Sequence, residues 1–383
     1  MKVTVIMPVE RIGGDAERAI AAVLAQRAPF AFELIAVSAA PLPLLADNRI
    51  RNVVEPDRNP ATRRNRAASE ARGEILAFVD DDAFADVGWL ATAVAWLDEH
   101  KETLALGGPD PAPAGSPAAE LISETLLATP WIGSGIVCHE NRPGIFPIRW
   151  PSDIALVNLF VRREAFEAAG GFDESIGYIG EDTGLIAALM QGRASRDEGR
   201  GTRDERQDAR ALCHPERSEG SPSQEPESLF LPGDPSPSTR LGMTQDPRPS
   251  PLVPGPSKVI YHSGVVVYHR RRPFPAAYLR QRWRYRVKTG EMLARGANAY
   301  RRSGRVWALL IAGVLFAVAV AAAPRLALAL LACYAPVTLI LGARTTRLPP
   351  VWWPLLPFAF LAHHATYFAG IVWGVRKRLV RKK

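Results

Sequence analysis

Three consecutive carboxylates, Asp80-Asp81-Asp82, follow directly on the apolar run Ile75-Leu76-Ala77-Phe78-Val79. Like charges this close repel one another unless a cation or protons compensate them. A hard divalent ion such as Mg²⁺ suits these oxygens, held by one or two carboxylates together with substrate phosphates. The competing assignment is a solvated acidic turn, or a cap for the helix beginning near Asp86. A second acidic pair, Glu181-Asp182, follows Gly180 and opens a helix through Leu185, Ile186, Leu189 and Met190. Its carboxylates either favour the positive end of the helix dipole or supply a general base pointing into a cleft. His269 closes the run Val265-Val266-Val267-Tyr268, where a lone histidine reads on its own as structural or solvated, as does His262. Last comes a basic run from Arg270 to Arg305 that contains Gln281-Arg282-Trp283-Arg284-Tyr285. Basic residues interleaved with aromatics suit either nucleic acid or an anionic membrane surface.

The elements that must hold these groups alternate in type. Val3 to Met7 reads as a buried strand rather than a leader, because Pro8 interrupts the run and Glu10-Arg11 follow at once. A helix is expected from Asp15 to Gln26, and buried strands from Phe32 to Val37 and from Ile50 to Val54. Asn59-Pro60 supplies a cap and a first-turn proline for a helix that Gly73 stops, and Ile75 to Val79 is the next strand. Strands separated by helices argue for the α/β class, with a mostly parallel sheet covered on both faces. In such a sheet the ligand sits beyond the carboxyl ends of the strands, where the aspartate triplet lies.

Composition divides the rest. Residues 192–257 hold 11 of the 33 prolines and nine serines with almost no apolar periodicity, which predicts a disordered insertion interrupting a domain. A strand from Lys258 to Tyr268 is expected to resume that domain. Residues 270–383 carry 21 Lys/Arg and one acid, a charge of +20, so the net +8 leaves −12 on the preceding body. An acidic body argues against nucleic acid, and apolar runs beside the basic residues argue for a membrane. Val306 to Ala323, Leu326 to Gly342 and Pro350 to Gly374 are uncharged over 18, 17 and 25 residues. A crossing helix needs about 20 apolar residues. Arginines before the first run, arginines after the second and a basic tail at 375–383 favour a hairpin of the first two runs, with the third re-entrant or interfacial. Cys138, Cys213 and Cys333 form no CxxC pair, which fits a reducing compartment without a thiolate metal site.

Taken in order, these pieces resemble the family 2 glycosyltransferases, in particular membrane-attached ones that build bacterial exopolysaccharides. The likeness is carried by Ile6-Met7-Pro8-Val9, Arg64-Asn65, Ala71-Arg72-Gly73-Glu74, Phe78-Val79-Asp80-Asp81-Asp82, Trp89-Leu90 and Gly107-Gly108-Pro109. It continues through Arg162-Arg163-Glu164-Ala165-Phe166, Gly170-Gly171-Phe172-Asp173, Gly180-Glu181-Asp182 and Val267-Tyr268-His269, covering residues 1–191 and 258–300. The resemblance implies a GT-A fold, completed by residues 258–305 and followed by a transmembrane region at 306–374. It also implies a nucleotide-sugar donor, a UDP-sugar first among them, with Mg²⁺ or Mn²⁺ and inversion at the anomeric carbon. Asp80, Asp82 and His269 then face the metal, and Asp182 matches the catalytic base. Pro8, Val9, Glu10, Arg64, Asp80 and Asp81 match the donor side, with Glu181 and Arg284 on the acceptor side. The implied setting is the bacterial inner membrane, with a cytoplasmic catalytic domain and a lipid-linked or glycan acceptor. Two departures stand out: Ser38 replaces an aspartate that contacts the base, and Glu10-Arg11 replaces a tyrosine or asparagine. A polyprenyl-phosphate glycosyl synthase and a catalytically silent membrane scaffold are the rival readings.

Overall fold

The computed structural model describes residues 1–43, 47–175, 180–191, 258–294 and 304–380. These belong to one unit; a second, residues 195–256, lies outside the described residues, so the expected disordered insertion is not tested.

Ten strands and eleven helices order the described chain. The strands are β1 Val3–Pro8, β2 Phe32–Ser38, β3 Ile50–Val54, β4 Ile75–Phe78, β5 Ala83–Ala85, β6 Ala105–Gly107, β7 Ile145–Pro147, β8 Leu159–Arg162, β9 Val259–His262 and β10 Val267–His269. The helices of the α/β part are α1 Asp15–Leu24, α2 Pro60–Ser69, α3 Trp89–Glu99, α4 Ala118–Ala128, α5 Val137–Glu140, α6 Arg163–Ala168 and α7 Glu181–Gln191. Then come α8 Ala276–Ala294, α9 Gly304–Ala322, α10 Pro324–Thr345 and α11 Leu356–Val380, the last preceded by a 3₁₀ segment, Pro350–Leu355.

Eight strands form one sheet in the order β3-β2-β1-β4-β8-β6-β9-β7. Neighbours β3, β2, β1 and β4 are parallel, whereas β8 runs antiparallel to β4 and β6. The sheet is therefore more mixed than the alternation of elements suggests, since β8 arrives from the opposite end. Val3, Val5 and Met7 pack with α1 and α3 on one face, while Ile6, Ile35 and Phe78 pack with α2, Phe166 and α7 on the other. Asn59 caps α2 by accepting from the Ala61 amide at 3.1 Å, with Pro60 in the first turn, as expected.

The expected single strand at 258–268 is two strands in two sheets. β9 joins the main sheet, and β10 pairs antiparallel with β5. A turn closed by the Val265 amide on the His262 carbonyl separates them. Gly108 permits this crossing, because a Cβ there would overlap the Val265 and His262 carbonyl oxygens. The buried Asn158 pins the same place, donating to the carbonyls of Pro109 at 3.0 Å and Val265 at 2.7 Å while accepting from Trp89 Nε1.

Two helical segments are long and apolar enough to cross a membrane, Pro324–Thr345 and Pro350–Val380; Leu310–Ala322 is shorter. These are the second and third apolar runs; the first forms α9, of which the apolar stretch Leu310–Ala322 is the part set against this measure, so the expected hairpin of the first two runs is not tested. The histidines that weaken the third run find partners inside the protein: His363 Nδ1 lies 2.8 Å from the Tyr278 hydroxyl, and His364 Nδ1 lies 2.8 Å from that of Tyr334. α8, expected on a membrane surface, packs one face along α11. Gly290, Gly370 and Gly374 let the two backbones touch, since a Cβ on any of them would strike the opposite helix. Arg286 stacks on Tyr367 at 3.7 Å, and Arg280, Trp283 and Arg284 form the outer face.

Candidate active site

The carboxyl end of β4 delivers Asp80, Asp81 and Asp82 beside the loop that leaves β1. Val9 is buried there and its amide donates to the Val37 carbonyl at 2.8 Å. Glu10 turns its side chain outward to Arg63 at 3.1 Å, while its backbone hydrogen-bonds Asp81. The loop Pro8–Glu10 thus borders the aspartate triplet.

Arg64 ties the two acidic groups into one cleft. Only 6% exposed, it donates from Nη2 to Asp80 Oδ1 at 2.8 Å and from Nη1 to Glu181 Oε1 at 3.3 Å. Asn65 fixes the opposite wall: its side chain accepts from the Phe172 amide at 2.9 Å and donates to the Phe172 carbonyl at 2.8 Å. This clamp holds the Gly170-Gly171-Phe172 turn, whose Gly171 adopts φ +72°. Arg64-Asn65 therefore serves as a single unit, one residue gathering carboxylates and the next gripping the loop before α7.

Asp182 stands at the start of α7, with Thr183 donating to its Oδ1 from the backbone at 2.7 Å and from the hydroxyl at 3.2 Å. Burial raises its carboxyl above the ordinary range, against those hydrogen bonds and the Arg64 charge. Burial and the Asp182 charge push Glu181 up to about 7, although Arg64 pulls the other way. Asp81 is likewise pushed up to about 6 by burial and by its two neighbours.

From the other side, β10 brings His269 to the triplet. His269 Nε2 lies 3.3 Å from Asp82 Oδ1, and one ligand atom from each of Asp80, Asp82 and His269 fall within 4.8 Å of one another. Burial would lower the imidazole, but hydrogen bonds to Asp110 and Asp82 outweigh it and hold His269 at about 9. Burial similarly opposes ionisation of Asp82, yet His269 and Arg272 hold its carboxyl below the usual value. Arg272, 60% exposed, reaches Asp82 Oδ2 at 3.5 Å.

A buried hub backs this arrangement. Asp110 is fully enclosed, takes Arg271 Nη2 on Oδ1 at 3.0 Å and Nη1 on Oδ2 at 3.2 Å, and also binds Arg271 through its carbonyl. His139 Nδ1 is 2.8 Å from Asp110 Oδ1, and His269 Nδ1 is 3.6 Å from Oδ2. Asp110, Cys138 and His139 have the spacing of metal ligands. The Arg271 guanidinium already neutralises Asp110, however, so a cation there would meet a buried like charge. The hub orients His269.

The sequence motifs stopped one residue short of Asp110, after Gly107-Gly108-Pro109. Arg271 and Arg272 were submerged in a basic run read as membrane-directed. A fully buried Asp is rare unless paired, so an acid following Gly-Gly-Pro was the available signal. Arg284 is exposed on α8; its neighbour Arg282 is buried, between the rings of Tyr278 and Tyr285.

Residues 4–134 match the family model described as Glycosyl transferase family 2. Over those residues the chain is similar to that family's domain. Its fold is GT-A, followed by the C-terminal helices. Over 96% of its length it is similar to the mannosyltransferase PcManGT from Pyrobaculum calidifontis, solved in complex with GDP-Man and Mn²⁺. That match has 17% identity and a TM-score of 0.50 and covers 86% of the archaeal chain. S. aureus TarS 1-349 aligns over 100% of this chain and 92% of its own, at 14% identity and a TM-score of 0.41. No curated protein matches the chain. Arg64 holds the Asp-rich cluster next to the start of α7, beyond the carboxyl ends of β1 and β4.

Proposed function

We propose that the chain is a metal-assisted, inverting glycosyltransferase that moves a sugar from a nucleotide-sugar donor to a lipid-linked or glycan acceptor at a membrane. One observation supports the reading: Arg64 bridges Asp80 and Glu181, which brings the start of α7, where the candidate base Asp182 stands, next to the candidate metal cluster.

The residues present fit a divalent ion. Two carboxylates and an imidazole are hard to borderline donors, in line with Mg²⁺ or Mn²⁺ rather than a thiolate-seeking metal. Asp80, Asp82 and His269 would hold it, and when bound it would offset charge on the donor diphosphate. Asp110 holds the His269 ring in place, and Arg272 adds a positive group beside Asp82. Arg64 keeps Asp80 directed toward the cluster and keeps Glu181 out of solvent. Asp182 takes the proton from the acceptor hydroxyl as that oxygen attacks the face of the anomeric carbon opposite the leaving group. Burial suits it to this role, because a raised carboxyl is a stronger base than a free aspartate.

The test is nucleoside diphosphate release from a panel of nucleotide sugars by the detergent-solubilised protein, with and without Mg²⁺ or Mn²⁺. Asp82→Ala is expected to abolish release, and Asp182→Asn to slow transfer by about 10²–10⁴-fold. Full turnover by both folded variants would overturn the assignment. A polyprenyl-phosphate acceptor is already anionic and needs no base, so a mild Asp182→Asn effect selects that acceptor class. The exposed Arg280 and Arg284 on α8 favour keeping it in the panel.

A further inference from the structure

The loop after α4 joins the α/β part to the helices in an unusual way. From Thr125 to Cys138 it carries no charged residue, and Trp131 at its tip is 92% exposed at φ +70°. That conformation is uncommon for any non-glycine residue and an outlier for a bulky one. Ile132 turns the other way and packs against the apolar cluster shared by α4, α8 and α11, and His364 Nε2 lies 2.7 Å from its carbonyl.

That tie sets the loop's depth. Glu124 and Thr125 of α4 meet Arg347 and Thr346 at the junction between α10 and α11. Arg344 and Arg347 at this junction assign it to the positively charged side of a bilayer. Apolar exposure begins just beyond it, with Val351 at 78% and Phe358 at 72%. His364 lies eight residues into α11, level with the stretch of α8 that exposes Arg280 and Arg284, so the loop bonded to it sits at the headgroup level of the bilayer.

Amides of the loop behind Trp131 bond within it, which lowers their cost of leaving water. Here the Ile132 amide donates to Pro130 O at 2.8 Å, Gly133 to Thr129 O at 2.8 Å and Ser134 to Leu127 O at 3.2 Å. The Ser134 hydroxyl adds a bond to Leu127 O at 2.9 Å and accepts from the Ile136 amide at 3.2 Å. Pro130 has no amide hydrogen to satisfy.

The geometry points to residues 129–136 as a membrane-inserting loop, with Trp131 anchored among the glycerol and upper acyl groups of the lipid. This rests on the membrane reading of the C-terminal helices. It deepens the proposed function, because the same loop runs into His139 and thence to the Asp110 hub behind His269. A lipid-borne acceptor would meet this surface first.

Site-directed spin labelling of the full chain in phosphatidylcholine proteoliposomes tests it. A nitroxide replaces Trp131 through Trp131→Cys in a Cys213→Ser, Cys333→Ser background, with Leu328→Cys on α10 as the companion site. Oxygen partitions into lipid and a nickel chelate stays in water. The nitroxide at 131 is expected to collide at least threefold more with oxygen than with the chelate. A chelate-accessible label at 131 with a lipid-shielded label at 328 overturns the loop proposal alone. Water exposure at both sites overturns the membrane reading and the loop with it. Because Trp131 is on the surface, its replacement leaves the fold intact, and circular dichroism verifies this.

Discussion

At the scale of single residues, the site is a set of carboxylates kept together by three cations of different reach. Arg64 spans two of them, His269 faces a third, and Arg271 secures the Asp110 that steadies His269. A histidine whose Nδ1–H points at a carboxylate can offer the Nε2 lone pair to a metal once the ion displaces the Nε2 proton, and losing such support typically weakens metal binding 10- to 100-fold. Asp110→Asn is therefore expected to reduce Mn²⁺ affinity by about that factor in a paramagnetic resonance titration, and to add nothing in a His269→Ala background. An additive loss would deny the connection. The acid pair on α7 gives a second expectation. Since Glu181 and Asp182 are both raised by burial, turnover should rise with pH along a limb displaced above the ordinary aspartate range. The stability sign is opposite: a folded carboxyl raised to about 7 binds protons more tightly than the unfolded one, so its penalty is absent in acid and grows as pH passes from about 4.5 to 7. Thermal melts of Glu181→Gln should then show stabilisation at pH 8 and none at pH 4.

At the scale of elements, legibility followed periodicity. The runs ending in Pro8, Ser38, Val54 and Phe78 are short and mostly apolar, with few polar interruptions such as Glu33 and Arg51-Asn52, so their positions and the carboxyl-end site were readable. The division of 258–269 into β9 and β10 was not, because Ser263-Gly264 is a weak break and the reason for it lies at Gly108, far away in sequence. The role of α8 was hidden for a similar reason. Its arginines announce a surface, whereas its packing is decided by Gly290 against Gly374. Gly108→Ala tests the first of these contacts. The added methyl meets two carbonyl oxygens rather than a flexible side chain, so a loss of about 1–3 kcal/mol is expected in denaturant unfolding. Mn²⁺ affinity should fall with it, since the same crossing delivers His269.

At the scale of the whole molecule, the helical region and the α/β part are joined by polar contacts that composition alone could not reveal. Arg347 Nη2 binds both oxygens of the buried Glu124 at 2.7 and 2.8 Å and also reaches the Ala112 carbonyl. Arg347→Ala would leave that carboxylate with the Ala112 amide as its remaining donor, at a cost of about 1–3 kcal/mol. Thermal unfolding in detergent is expected to split into two transitions, whereas the wild type should melt in one. On the proposed function, the tie between Glu124, Thr125 and the α10–α11 junction would also govern how an acceptor arrives. A cleft moored this way to a lipid sheet has no tether to swing on, so encounters with lipid-borne molecules become a planar search. Speed would then track how crowded the leaflet is with acceptor, and diluting the vesicles in buffer would leave it unchanged.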